Sequence, residues 1–349
     1  MLTVGQMGSI AVKPESLVNG ETTTYNFEIV PELEISRGDK LYITFPPEIS
    51  LPMSYYINCR GDNQVSLSNC VKSADQEIAI TFRSVSSNYQ SWRPFNIYVD
   101  NVINPVSFKP TKPFSGIRLV SQYNFEIATY SDPRLVVTTN KLAKIKDFDF
   151  KQSEMAAGQE SFFLITLQPG SRLPHTAAFK ITAPREIEMV RADYNDCYIQ
   201  TQRTVKGQCR YEGTDQLVLT RGLAYFRGGY YYGDVKIVFK ARNPQSNFYQ
   251  GVQFKLEISL DDSFDYPIAM LDGGLAPSFE CNYPCITCSP NDPDDCESCP
   301  TGRGEKNFLQ EDRYTGKKTC KAQCDLGYTF DRSVSTTCLP CDPSCATCR

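Results

Sequence analysis

Residues 38–49 read GDKLYITFPPEI, and this stretch decides the fold. Polar and apolar side chains alternate from Lys40 to Phe45, which puts one set on each face of an extended strand, and Pro46 with Pro47 stops it. The same period-two signal recurs in TYNFEIV, EIAITF, FNIYV and GIRLVSQYNFEIA, then in SFFLITL, AFKITA, QLVLT, DVKIVFKA and VQFKLEISL. Short alternating segments separated by Gly, Pro, Asn and Ser predict an all-β sandwich, with no convincing helix.

Sliding the chain on itself by 138 or 139 residues superposes several landmarks. FPPEI, with Pro46, Glu48 and Ile49, falls on APREI, with Pro184, Glu186 and Ile187. Gly20 falls on Gly158, Cys59 on Cys197, Cys70 on Cys209, Asn104 and Pro105 on Asn243 and Pro244, and Phe125 on Phe264. Such self-similarity predicts a duplication: two tandem Ig-like β-sandwich domains, residues 1–134 and 135–278, followed by a cysteine-rich segment over residues 279–349.

The chain of 349 residues holds 15 Cys, of which only Cys59, Cys70, Cys197 and Cys209 precede residue 281. Ten and eleven residues separate the two Cys of each sandwich, a spacing suited to a hairpin or loop closed by an internal disulfide. Closing a loop of that size removes about 3 kcal/mol of unfolded-state entropy in the chain model. Reduced, buried thiols are the alternative for these four. The tail is too poor in Leu, Ile, Val and Phe to fold by apolar burial and requires covalent staples or metal.

From Cys281 the spacing runs C-x3-C-x2-C-x7-C-x2-C, twenty residues, C-x3-C, thirteen residues, then C-x2-C-x3-C-x2-C. CNYPCITC at Cys281, Cys285 and Cys288 returns as CDPSCATC at Cys341, Cys345 and Cys348, sixty residues on, and CDLGYTFDRSVSTTCLPC sets Gly and aromatic residues between two Cys. This pattern resembles the furin-like, growth-factor-receptor cysteine-rich repeat. The resemblance implies disulfides Cys281 to Cys288, Cys285 to Cys296, Cys299 to Cys320, Cys324 to Cys338 and Cys341 to Cys348. It leaves Cys345, the equivalent of Cys285, with a partner expected near position 356, so the chain is expected to be a fragment cut inside its second cysteine-rich repeat. Connectivity does not follow from spacing alone. Zinc is the rival for the CxxC pairs, at the cost of a short loop between them and of His175, the sole histidine, lying far away.

Chemistry has little to stand on. His175 in SRLPHTAAF has no recognisable nucleophile motif beside it, and no GxSxG, P-loop, GxGxxG or HExxH sequence occurs. No catalytic, cofactor or metal residue is assigned, and a hydrolase is disfavoured. Asp261 with Asp262, and Asp292 with Asp294 and Asp295, lie in turn-like stretches without the EF-hand pattern, so solvated acids are expected rather than calcium ligands. Two RGD triplets occur, at Arg37, Gly38, Asp39 and at Arg60, Gly61, Asp62. The second is a candidate adhesive loop between Cys59 and Cys70, although Gly-Asp is also ordinary turn chemistry. Tyr230, Tyr231 and Tyr232 in YFRGGYYYGD are candidate contact residues, or else strand tyrosines alternating between core and solvent.

A net charge of -4 with both signs interspersed supplies no field for nucleic acid. No stretch reaches the roughly 20 apolar residues of a membrane helix, so a membrane is expected only through missing segments. The opening lacks a signal-peptide pattern, so an exported chain is expected to have lost its true beginning. No N-x-S/T sequon is present. The order of modules is similar to large surface proteins of ciliated protists, on GDKLYITFPPEI and the paired Cys. An extracellular structural or adhesive protein is expected, part of a surface coat or filament. Its partners would be copies of itself or neighbouring surface proteins. A ligand-binding receptor ectodomain is the alternative.

Overall fold

The computed structural model of the protein describes residues 4–85, 93–191, 196–202, 207–226, 229–244, 253–276, 281–289, 292–300, 306–330, 336–342, 344 and 348. They form two compact units. One comprises Met1–Lys144, Gly170–Leu173 and Ser263–Ala269; the other comprises Ile145–Pro169, Pro174–Asp262 and Met270–Arg349. The fold is all-β: among the described residues the sole helical segment is a single 3-10 turn, Ala224–Phe226.

In the first unit a six-stranded sheet runs in the order Gly5–Gln6, Glu126–Tyr130, Ser115–Val120, Lys40–Thr44, Glu77–Val85, Val65–Ala74. A four-stranded sheet runs Ser9–Pro14, Thr22–Val30, Phe95–Ile103, Cys59–Gly61. Alternation does the sorting: Leu41 and Ile43 of the first sheet and Tyr25, Phe27, Ile29, Ile97 and Val99 of the second are buried in one shared core. Phe45 and Phe114 meet Phe27 edge to face at 5.7 and 5.6 Å, and each other at 5.2 Å. Such pairs contribute about 0.5–1.5 kcal/mol each beyond area burial.

The sandwich of the second unit repeats the plan. One sheet holds Asp147–Gln152, Glu160–Gln168, Val235–Arg242 and Glu188–Met189, with Tyr198–Gln200 also on Val235–Arg242; the other runs through Gln208–Glu212, Gln216–Thr220, Ala178–Thr182 and Lys255–Ser259. Phe163, Phe239 and Phe254 close its core, with ring centroids 5.2 to 5.4 Å apart.

A buried asparagine locks each sandwich. The chain between the first two strands of the small sheet leaves carbonyls without a strand partner, and buried carbonyls require donors. Asn104 Nδ2 donates to Ser16 O at 2.8 Å and Val18 O at 3.0 Å. Its amide donates to Glu21 O, and Gly20 N donates to Pro105 O, each at 2.9 Å. In the second sandwich Asn243 Nδ2 donates to Glu154 O and Ala156 O, both at 2.9 Å. The Asn243 amide donates to Gln159 O, and Gly158 N to Pro244 O, each at 2.8 Å. Gly20 and Gly158 sit at φ 64° and 74°, where a Cβ is unfavourable. A Cβ there would also meet Ser171 Oγ at 2.1 Å or the Tyr283 ring at 2.3 Å.

One member of the lock differs. Tyr25 Oη donates to Asn104 Oδ1 at 2.8 Å, whereas Phe163 stands 138 residues on and Asn243 Oδ1 has no hydrogen-bond partner among the described residues.

Disulfides seal the sandwich edges. Cys59 lies on the last strand of the small sheet and Cys70 on the last strand of the large one, so their bond ties the two sheets together. Cys197, beside Tyr198–Gln200, and Cys209, on Gln208–Glu212, do the same in the second sandwich. The chain between each pair crosses from one sheet to the other, so the closed loop is a sheet-to-sheet crossover and not a hairpin.

The tail is a hairpin of Thr287–Ser289 with Asp292–Ser298, then strands Lys318–Lys321, Phe308–Glu311, Thr337–Pro340 and Tyr328–Thr329 in sheet order. Its bonds join Cys281 to Cys288, Cys285 to Cys296, Cys299 to Cys320, Cys324 to Cys338 and Cys341 to Cys348. Cys281, Cys285, Cys296 and Cys320 are buried together, with Cys288, Cys299 and Leu309 packed on them, so cystine sulfur forms the core. Cys345 lies outside the described residues.

Four outcomes are expected. Asn104→Ala, which leaves Ser16 O without its donor and Val18 O with only the 3.3 Å bond from Glu21 N, costs about 1–3 kcal/mol in denaturant unfolding, and Asn243→Ala costs less, because Glu154 O keeps Gln152 Nε2 at 2.8 Å and Ala156 O keeps Gln159 N at 3.4 Å. Phe163→Tyr adds the missing donor and raises stability by about 1 kcal/mol, while Tyr25→Phe lowers it comparably. Burial raises the Tyr25 phenol above its ordinary value, so the folded state holds that proton longer than the unfolded state. Its contribution is therefore complete below about pH 10 and is lost as pH rises above that, a slope that Tyr25→Phe removes. Reduction is expected to open the tail to protease before the sandwiches, as mapped by limited proteolysis with mass spectrometry.

Candidate contact surfaces

The tyrosine stretch folds as the 3-10 turn Ala224–Phe226 followed by strand Tyr230–Tyr231; Arg227 and Gly228 lie outside the described residues. Tyr231 is 5% exposed, donates its hydroxyl to Asp234 O at 2.7 Å and packs on Phe226 at 4.8 Å. Desolvation pushes its hydroxyl pKa up. Tyr230 is half-buried, whereas Tyr232 and Tyr225 are 65% and 66% exposed. Alternation thus splits the triplet, with Tyr231 turned inward and Tyr232 outward, and Tyr225 of the 3-10 turn also faces solvent. A cleft of about 510 Å³ is lined by Gln202, Phe226, Tyr230, Tyr231, Tyr232 and Gly233.

Both RGD triplets are built into the first sandwich. Arg60 and Gly61 belong to strand Cys59–Gly61, paired with Tyr98 and Ile97. The Arg60 guanidinium lies over the Tyr98 ring at 4.7 Å and 3.4 Å from Asp100. The Asp62 carboxylate accepts from Gln64 N at 2.9 Å and Asn96 N at 2.8 Å. In the other triplet Asp39 is buried and accepts from Ser36 N at 2.8 Å, and Gly38 has φ 91°. Asp39 serves its own turn, as Gly-Asp commonly does, while Asp62 serves its turn through Gln64 N and also ties it to strand Phe95–Ile103 through Asn96 N.

His175 borders a cleft of about 1010 Å³ that also contains Arg210, Arg221, Asp261 and Asp262. Arg210 reaches Glu212 at 2.8 Å and Asp262 at 3.6 Å. Thr176 donates its hydroxyl to Leu260 O at 2.7 Å, and Cys209 is disulfide-bonded. Among the described residues no group of three His, Cys, Asp or Glu side chains converges to hold a metal ion.

Asp292, Asp294 and Asp295 differ from the turn expected for them, because Asp292–Ser298 is a strand. Each carboxylate has a structural donor: Lys317 Nζ on Asp292, Asn282 Nδ2 on Asp294 and Lys318 N on Asp295, all at 2.8 Å. The Lys317 hydrogen bond, followed by that from Asp294 N, holds the Asp292 carboxyl below its usual range.

A second exposed apolar group carries no motif. Met53, Tyr55 and Tyr56 project to solvent from a segment tied to strand Val65–Ala74 through Ile57 N to Cys70 O at 3.0 Å and Lys72 N to Tyr55 O at 2.8 Å. LPMSYY sits among strand-like segments, and only the packing shows that these side chains point outward.

No protein-family model matches the chain, and no curated protein matches it. Among solved structures it is similar to the Enterococcus faecalis MSCRAMM ACE, at 9% identity and TM-score 0.23, over 76% of this chain and 91% of that one. It is similar to the S. aureus collagen adhesin CNA, at 10% identity and TM-score 0.23, over 76% and 92%. The type II cohesin dyad from the adaptor ScaA scaffoldin of Acetivibrio cellulolyticus matches at 10% identity and TM-score 0.27, over 72% and 88%. At these scores the likeness carries no argument about ligand or partner.

Tyr232→Ala is expected to leave thermal stability within about 0.5 kcal/mol, as an exposed substitution does. Tyr231→Ala is expected to cost about 3–5 kcal/mol, as truncation of a buried aromatic does. Scanning calorimetry of the two variants checks both.

Proposed function

We propose that the chain is an extracellular structural or adhesive protein, a modular part of a surface coat or filament that acts through contacts between protein chains. Its modules are the two sandwiches, residues 1–134 and 135–278, and the furin-like cysteine-rich segment, residues 279–349. The observation that carries this reading is the cystine core of the tail, where Cys281, Cys285, Cys296 and Cys320 occupy the place of aliphatic side chains. Such a core lasts only where thiols stay oxidised, outside the cytosol.

Contact is the mode of action that the surface supports. Tyr225 with Tyr232, and Met53 with Tyr55 and Tyr56, are large side chains held on ordered backbone in solvent. Aromatic and Met side chains of this kind are enriched at protein interfaces, where they bury much area at small entropic cost. The groups around His175 are engaged in ion pairs, a disulfide and backbone hydrogen bonds.

Antibody raised against the chain is expected to label unpermeabilised cells, and electron microscopy of the labelled surface is expected to show a coat or filaments. Labelling confined to the cytosol would sink the reading. Labelled but isolated particles would remove the coat and leave a surface protein.

A further inference from the structure

Among the described residues, the strand Asp147–Gln152 ends its sheet, bonded on one side only, to Glu160–Gln168. We propose that it pairs with the same strand of a second copy of this chain, antiparallel, with Phe150 opposite Phe150. This deepens the reading of a protein that acts through chain-to-chain contacts, and rests on it for its biological setting.

The hydrogen-bonding parity of the strand is set by its neighbour. Ser153 donates to Phe162 O at 2.9 Å, directly opposite it in the continued register, so odd-numbered residues turn their amides and carbonyls toward Glu160–Gln168. Phe148 and Phe150 therefore turn theirs outward, where no backbone partner is found among the described residues. Side chains alternate in step. Phe150 packs inward, 5.7 Å from Phe163 and 5.8 Å from Phe254, while Asp149 and Lys151 are exposed on the other face, 2.9 Å apart as an ion pair.

Charge then selects the register. Two copies related by a dyad can align only with outward-facing residues opposite one another. Centring on Phe150 sets Asp149 of each copy opposite Lys151 of the other, twice over. Sliding by one allowed step sets Asp149 opposite Asp149, beside two Asp147–Lys151 pairs, or Lys151 opposite Lys151, and like charges directly opposite are destabilising, so of these three registers only the one centred on Phe150 has no like-charge pair. In the chosen register Asp149 and Lys151 form non-hydrogen-bonded pairs, where side chains come closest.

The first sandwich shows the contrast. Its equivalent edge strand, Ser9–Pro14, has the same parity, since Glu15 donates to Thr24 O at 2.9 Å directly opposite. Pro14 is therefore an outward position with no N–H to give, a known block to edge pairing. Ala11 and Lys13 stand where Asp149 and Lys151 do, so the register centred on Val12 brings no opposite charges together, and the register that would set Lys13 opposite Glu15 centres on Pro14. One copy of the duplicated sandwich is protected and the other is complementary to itself.

The test is charge exchange in the full chain, followed by sedimentation equilibrium over a concentration series. Wild type is expected to show a reversible dimer that weakens with salt. Lys151→Asp sets acid opposite acid and Asp149→Lys sets base opposite base, so each alone is expected to associate at least tenfold more weakly. An equimolar mixture is expected to restore dimer, because every facing pair is then of opposite sign. Circular dichroism of each variant checks that the fold is kept, and restoration on mixing cannot come from misfolded chains. A wild type that stays monomeric throughout, variants that dimerise as wild type does, or a mixture that fails to recover would each overturn the pairing. Surface labelling with a monomeric wild type would remove the pairing alone. Cytosolic labelling with charge-dependent dimers would remove the extracellular reading alone.

Discussion

Each sandwich depends on one side-chain amide. Where the chain leaves one edge strand and enters the next, its carbonyls turn into the protein with no neighbouring strand to meet them. Asn104 and Asn243 each donate twice to these carbonyls, beside the longer turn bonds from Glu21 N to Val18 O and Gln159 N to Ala156 O. A buried carbonyl left bare costs more than the bond itself gains, so the amide holds the loop where the sheets need it. Gly20 and Gly158 complete the arrangement, because their positive φ brings their amides onto Pro105 and Pro244. The duplicated network then differs by a single oxygen, present on Tyr25 and absent from Phe163.

A different force holds the tail. Its strands are two to seven residues long and present few aliphatic side chains, so apolar area is too small to order them. Cystines supply both the closure and the core. In the sandwiches the single disulfide has another role: it ties the edge of one sheet to the edge of the other, over a core that is already well packed. The same bond is thus a seal in one part of the chain and the scaffold in another.

The surface follows from these constraints. Edges of sandwiches have unpaired backbone groups, and the chain treats them unequally, with proline on one and alternating opposite charges on the other. Aromatic side chains stand out in solvent at Tyr55, Tyr56, Tyr225 and Tyr232. A protein with such a surface and covalent closure suits contact with other chains in an oxidising space.

Local pattern alone determined the strand nature of GDKLYITFPPEI and its kin, since alternation is a property of neighbours along the chain, and it suggested a duplication by 138 or 139 residues and a pairing of Cys within each sandwich. Tertiary structure decided what neighbours cannot. The Cys59 to Cys70 loop crosses between sheets because its two strands belong to opposite edges, and Tyr231 turns inward while Tyr232 turns outward because one face of a short strand meets Phe226. Asp62 and Asp39 became turn acceptors because backbone amides surround them. Asp292, Asp294 and Asp295 became strand residues because Lys317, Asn282 and Lys318 arrive from elsewhere in the tail. The outward face of Met53, Tyr55 and Tyr56 was illegible for the same physical reason: exposure depends on which surfaces the rest of the chain covers, and that is set by long-range packing.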